Sequence, residues 1–137
     1  MARILVVDED PLFLAIMSRS LEKARHDIVT ATDASKAIEI FGKLKCDAVV
    51  CALVLPDSAS MEFIRAVRHR TGDMAIVAVV TGKAYLPQLN PDIVRMIVAI
   101  GADDVVKKPL EVHDFVATVE RTIALRKSHT QAASAAG

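Results

Sequence analysis

Four stretches of the chain, residues 4–7, 48–55, 75–80 and 105–106, are apolar without alternation, and a fifth, 28–31, is shorter and less regular. Continuous Val/Ile/Leu runs mark strands covered on both faces, as in a parallel sheet. The segments between them carry apolar residues at helical spacing. Asp10-Pro11 opens the first helix with an N-cap acid and a first-turn proline. A second is expected over 34–44 on an Ala37, Ile38, Phe41 and Leu44 stripe, and a third over 60–70 on Phe63, Ile64 and Val67. The fourth starts at Asn90-Pro91-Asp92 and stops at Gly101; the fifth runs from Glu111 to about Lys127 through Phe115, Val119 and Ile123. Strand and helix alternate five times, which predicts an α/β domain with a doubly wound, five-stranded parallel sheet and helices on both faces. The domain is expected to span 1–127. Residues 128–137 lack apolar periodicity and are expected to form a flexible tail or the start of a linker.

The 137 residues suit one domain, and 53% hydrophobic residues argue against disorder. Seventeen basic residues against seventeen acidic ones leave no global field to attract nucleic acid or an anionic membrane. Neither is expected as a partner. The apolar run 4–7 is too short for a secretory leader, so a cytoplasmic location is expected. Cys46 and Cys51 are five residues apart around one predicted strand. That odd spacing places them on opposite faces, about 16 Å apart, too far to bridge. Buried free thiols in a reducing compartment are expected. The histidines, His26, His69, His113 and His129, have no ligand spacing between them.

Ligands of open parallel sheets sit beyond the carboxyl ends of the strands. The polar residues there are Asp8, Glu9 and Asp10 after the first strand, Thr81 after the fourth and Lys108 after the fifth. The third strand reaches Pro56 without a polar side chain. No glycine follows the first strand, which excludes dinucleotide binding. Clustered acids suit Mg²⁺, a hard ion that takes oxygen ligands. Taken singly, Asp10 is a helix cap, Thr81 a turn residue and Lys108 a solvated loop cation.

Together these residues resemble the receiver domain of bacterial two-component response regulators. The resemblance covers residues 2–127 and rests on Ile4-Leu5-Val6-Val7-Asp8-Glu9-Asp10-Pro11, on Thr81 as the switch hydroxyl, and on Gly101-Ala102-Asp103-Asp104 with Lys107-Lys108-Pro109. It implies the flavodoxin-like (βα)5 fold. It also implies phosphoryl transfer from a histidine kinase to an aspartate at the end of the third strand, with Mg²⁺ held by the acidic pair and that aspartate. Aligning Pro56 with the family's proline puts the acceptor at position 52, which is Ala52. A methyl group neither attacks phosphorus nor coordinates a metal. Val105 stands where the family carries an aromatic switch residue, Ser60 where a glycine is usual, and the segment between Thr81 and Gly101 is longer than the family's pattern. These departures favour a naturally degenerate receiver; the alternative is a conventional receiver whose acceptor was replaced by Ala52. Asp57 lies downstream of the acceptor position and is a poor substitute.

What remains of the family's pocket is Asp8, Glu9, Thr81 and Lys108. A lysine facing two acids satisfies itself, so weak or absent Mg²⁺ binding at Asp8 and Glu9 is expected, with no catalytic residue and no cofactor. An enzymatic alternative exists. Asp8-x-Asp10, a later Thr, a Lys and an Asp pair resemble haloacid-dehalogenase-type phosphatases, but Lys108 follows Asp103-Asp104 where that family's Lys precedes its last acids. The fourth helix has one charge in eight residues from Ile93 to Ile100. The family register turns Val94, Ile97 and Val98 inward and leaves Ile93, Met96 and Ile100 as an outward apolar stripe. That stripe is expected either to lie under the loop carrying Tyr85, Leu86 and Leu89 or to contact a protein, in a homodimer or with a signalling protein such as a histidine kinase. The resulting expectation is a phosphorylation-independent interaction module.

Overall fold

The computed structural model of the chain describes residues 1–54, 58–81, 91–108 and 111–136, and the side chains of all these except 54, 58, 81 and 129–136. Its elements run β1 (Arg3–Val7), α1 (Pro11–Lys23), β2 (Asp27–Ala31), α2 (Ala34–Lys43), β3 (Ala48–Val54), α3 (Ser58–Arg70), β4 (Ala75–Thr81), α4 (Pro91–Ile100), β5 (Asp104–Lys107) and α5 (Val112–Ala136). The strands form one parallel sheet in the order β2-β1-β3-β4-β5. The order reverses direction at β1, so the crevice for a ligand opens between the carboxyl ends of β1 and β3.

Period-two alternation divides the strand residues between two apolar layers. Leu5, Val7, Val49, Leu53 and Ile76 face α2, α3 and α4, packing on Ala37, Phe63, Ile64, Val67 and Ile97. Ile4, Val6, Val50, Val77 and Val79 face α1 and α5, packing on Met17, Leu21, Phe115, Val119 and Ile123. The helix starts follow the sequence. The Asp10 side chain accepts the Leu12 N–H at 2.9 Å, and Asp33 caps α2 by accepting the Lys36 N–H at 2.8 Å. Gly101 ends α4 with φ +135°, a conformation that L side chains rarely adopt.

Three expectations need correction. Cys46 precedes β3 rather than lying on it, and it shares one apolar layer with Cys51; both thiols are buried and free. Strand alternation does not apply to a residue outside the strand. On α4 the inward stripe is Ile93, Ile97 and Ile100. Ile97 is buried and the other two are partly buried against the same layer, while Val98 and Met96 are exposed. The spacing i, i+4, i+7 puts three large isoleucines on one stripe, and they bury more apolar surface than the Val94/Val98 register would. Finally, the backbone from 128 to 136 is helical, continuing α5. Alanine and glutamine propagate an already nucleated helix without needing an apolar stripe.

Candidate functional site

Parallel pairing brings the chemistry-bearing residues to one end of the sheet. Val7 pairs with Cys51, which sets Asp8 level with Ala52; Ala52 pairs with Val79, and Val80 pairs with Lys107, one residue before Lys108. The backbone N–H of Asp8 donates to the Ala31 carbonyl and that of Lys108 to the Val80 carbonyl, so both residues extend the ladder beyond their strands.

Asp8 and Lys108 meet as a buried ion pair, Nζ to Oδ2 2.7 Å, with side chains 4% and 6% exposed. The second carboxylate oxygen of Asp8 accepts the Asp10 N–H at 2.8 Å, which ties the acid to the start of α1. The Lys108 ammonium also stands 4.1 Å from the ring centroid of Phe13, whose face is favourable for a cation. Lys108 is thus a buried cation with two partners, not a solvated loop lysine. Glu9 and Asp10 are exposed. A cavity of about 340 Å³ opens over this pair, and its wall includes Glu9, Asp33, Ala52 and Ser60. Ala52 contributes a methyl group at the place where β3 faces Asp8.

Mg²⁺ at this spot needs several oxygen ligands. Of the Asp8 carboxylate, Oδ1 accepts the Asp10 N–H and Oδ2 lies 2.7 Å from the Lys108 ammonium as an ion pair without a hydrogen bond. Ala52 supplies no oxygen, and among the described residues no group of three ligating side chains is found. The donor set does not fit the ion.

Thr81 ends β4 opposite Val54, and its side chain lies outside the described residues, as do Asp57, Pro109 and the loop carrying Tyr85, Leu86 and Leu89. Val105, partly buried, packs against the α2–α4 layer. Of the residues proposed for a contact surface on α4, Met96 alone is exposed; Ile93 and Ile100 belong largely to the core. The sequence reading missed Phe13. Its signal was a large aromatic in the first turn of a helix that follows an acid pair.

A parallel sheet of order 2-1-3-4-5, with an acid after β1 and a lysine after β5 joined at its carboxyl end, defines a receiver-type α/β domain. The chain belongs to the response regulator receiver domain family, whose model matches residues 4–120. It is therefore a receiver domain of two-component signalling. It is 29% identical over 130 residues to the transcriptional regulatory protein TrcR of Mycobacterium tuberculosis, covering 94% of this chain and 48% of TrcR. The chain thus spans about half the length of that curated relative. Its fold is shared by a receiver domain protein of Clostridium thermocellum (TM-score 0.79, 23% identity, 93% of this chain and 98% of that one). It is shared too by the CheY-like receiver of Methanospirillum hungatei (TM-score 0.80, 18% identity, 94% and 98%). NtrX of Brucella abortus, solved with ADP, contains the same fold (TM-score 0.82, 19% identity, 97% of this chain and 28% of that one). Among the described residues no helix is long and apolar enough to cross a membrane.

Proposed function

We propose that this receiver works without phosphorylation, as a non-catalytic protein-interaction module of a cytoplasmic two-component pathway. The observation that carries the reading is the site itself. Ala52 offers a methyl group where the family's chemistry needs a carboxylate, and the neighbouring acid already has Lys108 as its counter-ion. A closed Asp8–Lys108 pair leaves no vacancy for a metal and nothing to receive a phosphoryl group. The fixed state is presented to its partner, a kinase or another signalling protein, without a toggle. In a contact through α4, whether homodimeric or with another protein, the exposed Met96 and Val98 carry the apolar surface.

The test is intact-mass measurement after incubation with acetyl phosphate and Mg²⁺. The wild-type chain gains no mass, whereas Ala52→Asp gains one phosphoryl group. The same variant acquires a melting temperature that rises with Mg²⁺, because a ligand that binds only the folded state adds RT ln(1 + [L]/Kd) to stability. A stoichiometric gain by the wild type would overturn the reading, and peptide mapping would then locate the acceptor.

A further inference from the structure

At the opposite, amino-terminal end of the sheet lies a second cavity, of about 500 Å³, between the α2–β3 loop, the α3–β4 loop and the second half of α5. Phe41, Cys46, Met74 and Ile123 give it an apolar lining, and Leu44, 40% exposed, forms its lip. Burial raises the Cys46 thiol above its ordinary pKa, so it adds a neutral wall. The charged groups around this lining are unevenly committed. The Asp47 carboxylate accepts the Arg3 N–H at 2.9 Å, Arg126 is held by Asp103, and Asp73 also has a partner. Lys45 and Lys127 make no ion pair among the described residues. The mouth therefore carries two lysines without an ion-pair partner among the described residues, Lys45 and Lys127, together with the Asp47 and Asp73 carboxylates, above an apolar interior.

We propose that this cavity binds a small amphipathic anion, its apolar body against Phe41, Met74 and Ile123 and its carboxylate between Lys45 and Lys127. The volume falls in the range of small-molecule sites, which are mostly apolar with a few polar groups fixing orientation. Lys45 and Lys127 select the class: a carboxylate pairs with them, whereas an amphipathic cation of the same length finds only Asp47, already bonded to the Arg3 N–H, and Asp73, which also has a partner. The site is remote from Asp8 and Lys108, so it does not depend on how the carboxyl-end pocket is read.

The probe is decanoate, titrated below its micelle concentration into the ¹⁵N-labelled chain, with decyltrimethylammonium as the comparison. Decanoate is expected to give saturable amide shifts confined to residues 41–47, 71–74 and 123–127, and the cation none. Lys45→Glu with Lys127→Glu, two exposed positions, should weaken decanoate by about tenfold or more while spectral dispersion is unchanged. The proposal is overturned by the absence of saturation, by shifts spread over α4 or the carboxyl end, by equal binding of the cation, or by a double variant that binds as well as wild type. Should the double variant lose its dispersion, the wild-type shift map and the cation comparison decide by themselves.

Discussion

The two ends of the sheet handle buried charge differently. At the carboxyl end one carboxylate faces one ammonium, Asp8 and Lys108, beside an open cavity. At the amino end a single carboxylate, Asp103, joins three separate parts of the fold. Its Oδ2 accepts Arg68 Nη2 at 2.9 Å and the Ile76 N–H at 2.8 Å, and its Oδ1 accepts Nε and Nη2 of Arg126. Arg68 goes on to the Gly101 carbonyl at 2.9 Å, and Arg126 to the Gly72 carbonyl at 2.8 Å. Burial lowers the Arg68 pKa from its ordinary value, and Asp103 opposes that shift. Thus α3, α5 and the strand starts are cross-braced at one end, while the end where the family carries its chemistry has one ion pair supported by Phe13. A planar guanidinium can bond in several directions at once, which an ammonium at the rim of a cavity does not match.

The contrast is broken or sharpened first by removing one charge at each end. Asp103→Ala leaves two partly buried guanidiniums and the Ile76 N–H without their acceptor and should cost about 4 kcal/mol in urea unfolding. Lys108→Met strands only the Asp8 carboxylate, which cavity water partly relieves, and should cost about 2 kcal/mol. If Lys108→Met proves the more damaging, the carboxyl end is the better braced and the comparison reverses.

An effect no larger than that of Lys108→Met is expected from glycines of the amino end. A Cβ on Gly101 would stand 2.6 Å from the Arg68 Cβ, on a backbone at φ +135°. Gly101→Ala should therefore cost about 2 kcal/mol and displace Arg68 from its carbonyl partner. Gly72 has nothing within 4 Å of an added Cβ. Gly72→Ala should change stability by about 0.5 kcal/mol or less. Equal costs at the two positions would show that the close approach of α3 to Gly101 does not constrain the clamp.

The smallest effect lies at the carboxyl end, where α5 begins. The Glu111 carboxylate accepts the Asp114 N–H at 2.9 Å and the His113 N–H at 3.2 Å, and these bonds hold its pKa below the ordinary glutamate value. The support it gives α5 is complete above the unfolded glutamate pKa of about 4.3 and is lost as pH falls through the lower folded value. The group is fully exposed, so the loss is local. The His113 and Asp114 amides should titrate together in acid by NMR, and Glu111→Gln should abolish that titration. Its persistence in the variant would assign it to another group.

The sequence exposed the strands because two-sided burial demands uninterrupted apolar runs, as in Ile4–Val7 and Ala75–Val80. It exposed the helix starts because Asp10-Pro11 and Pro91 act within a single turn, and it singled out Asp8 and Lys108 because strand ends of an α/β sheet are where ligands gather. The orientation of α4 was not legible. Ile93, Val94, Met96, Ile97, Val98 and Ile100 are all apolar, so periodicity permits more than one stripe, and only the shape of the layer beneath selects Ile93, Ile97 and Ile100.

By itself, then, the sequence determined the βα alternation and the approximate limits of the elements, since each is written in residues within a strand or a turn of one another. Only the tertiary structure decided which charges meet. Arg68 and Arg126 reach Asp103 across 35 and 23 residues, and Lys108 after β5 reaches Asp8 after β1 past the ends of β4 and β3. Phe13 under Lys108, and the gathering of Lys45 and Lys127 around one apolar cavity, belong to the same class. Propensity and capping act over a few residues, whereas partners are chosen by the crossovers that fold the chain back on its sheet.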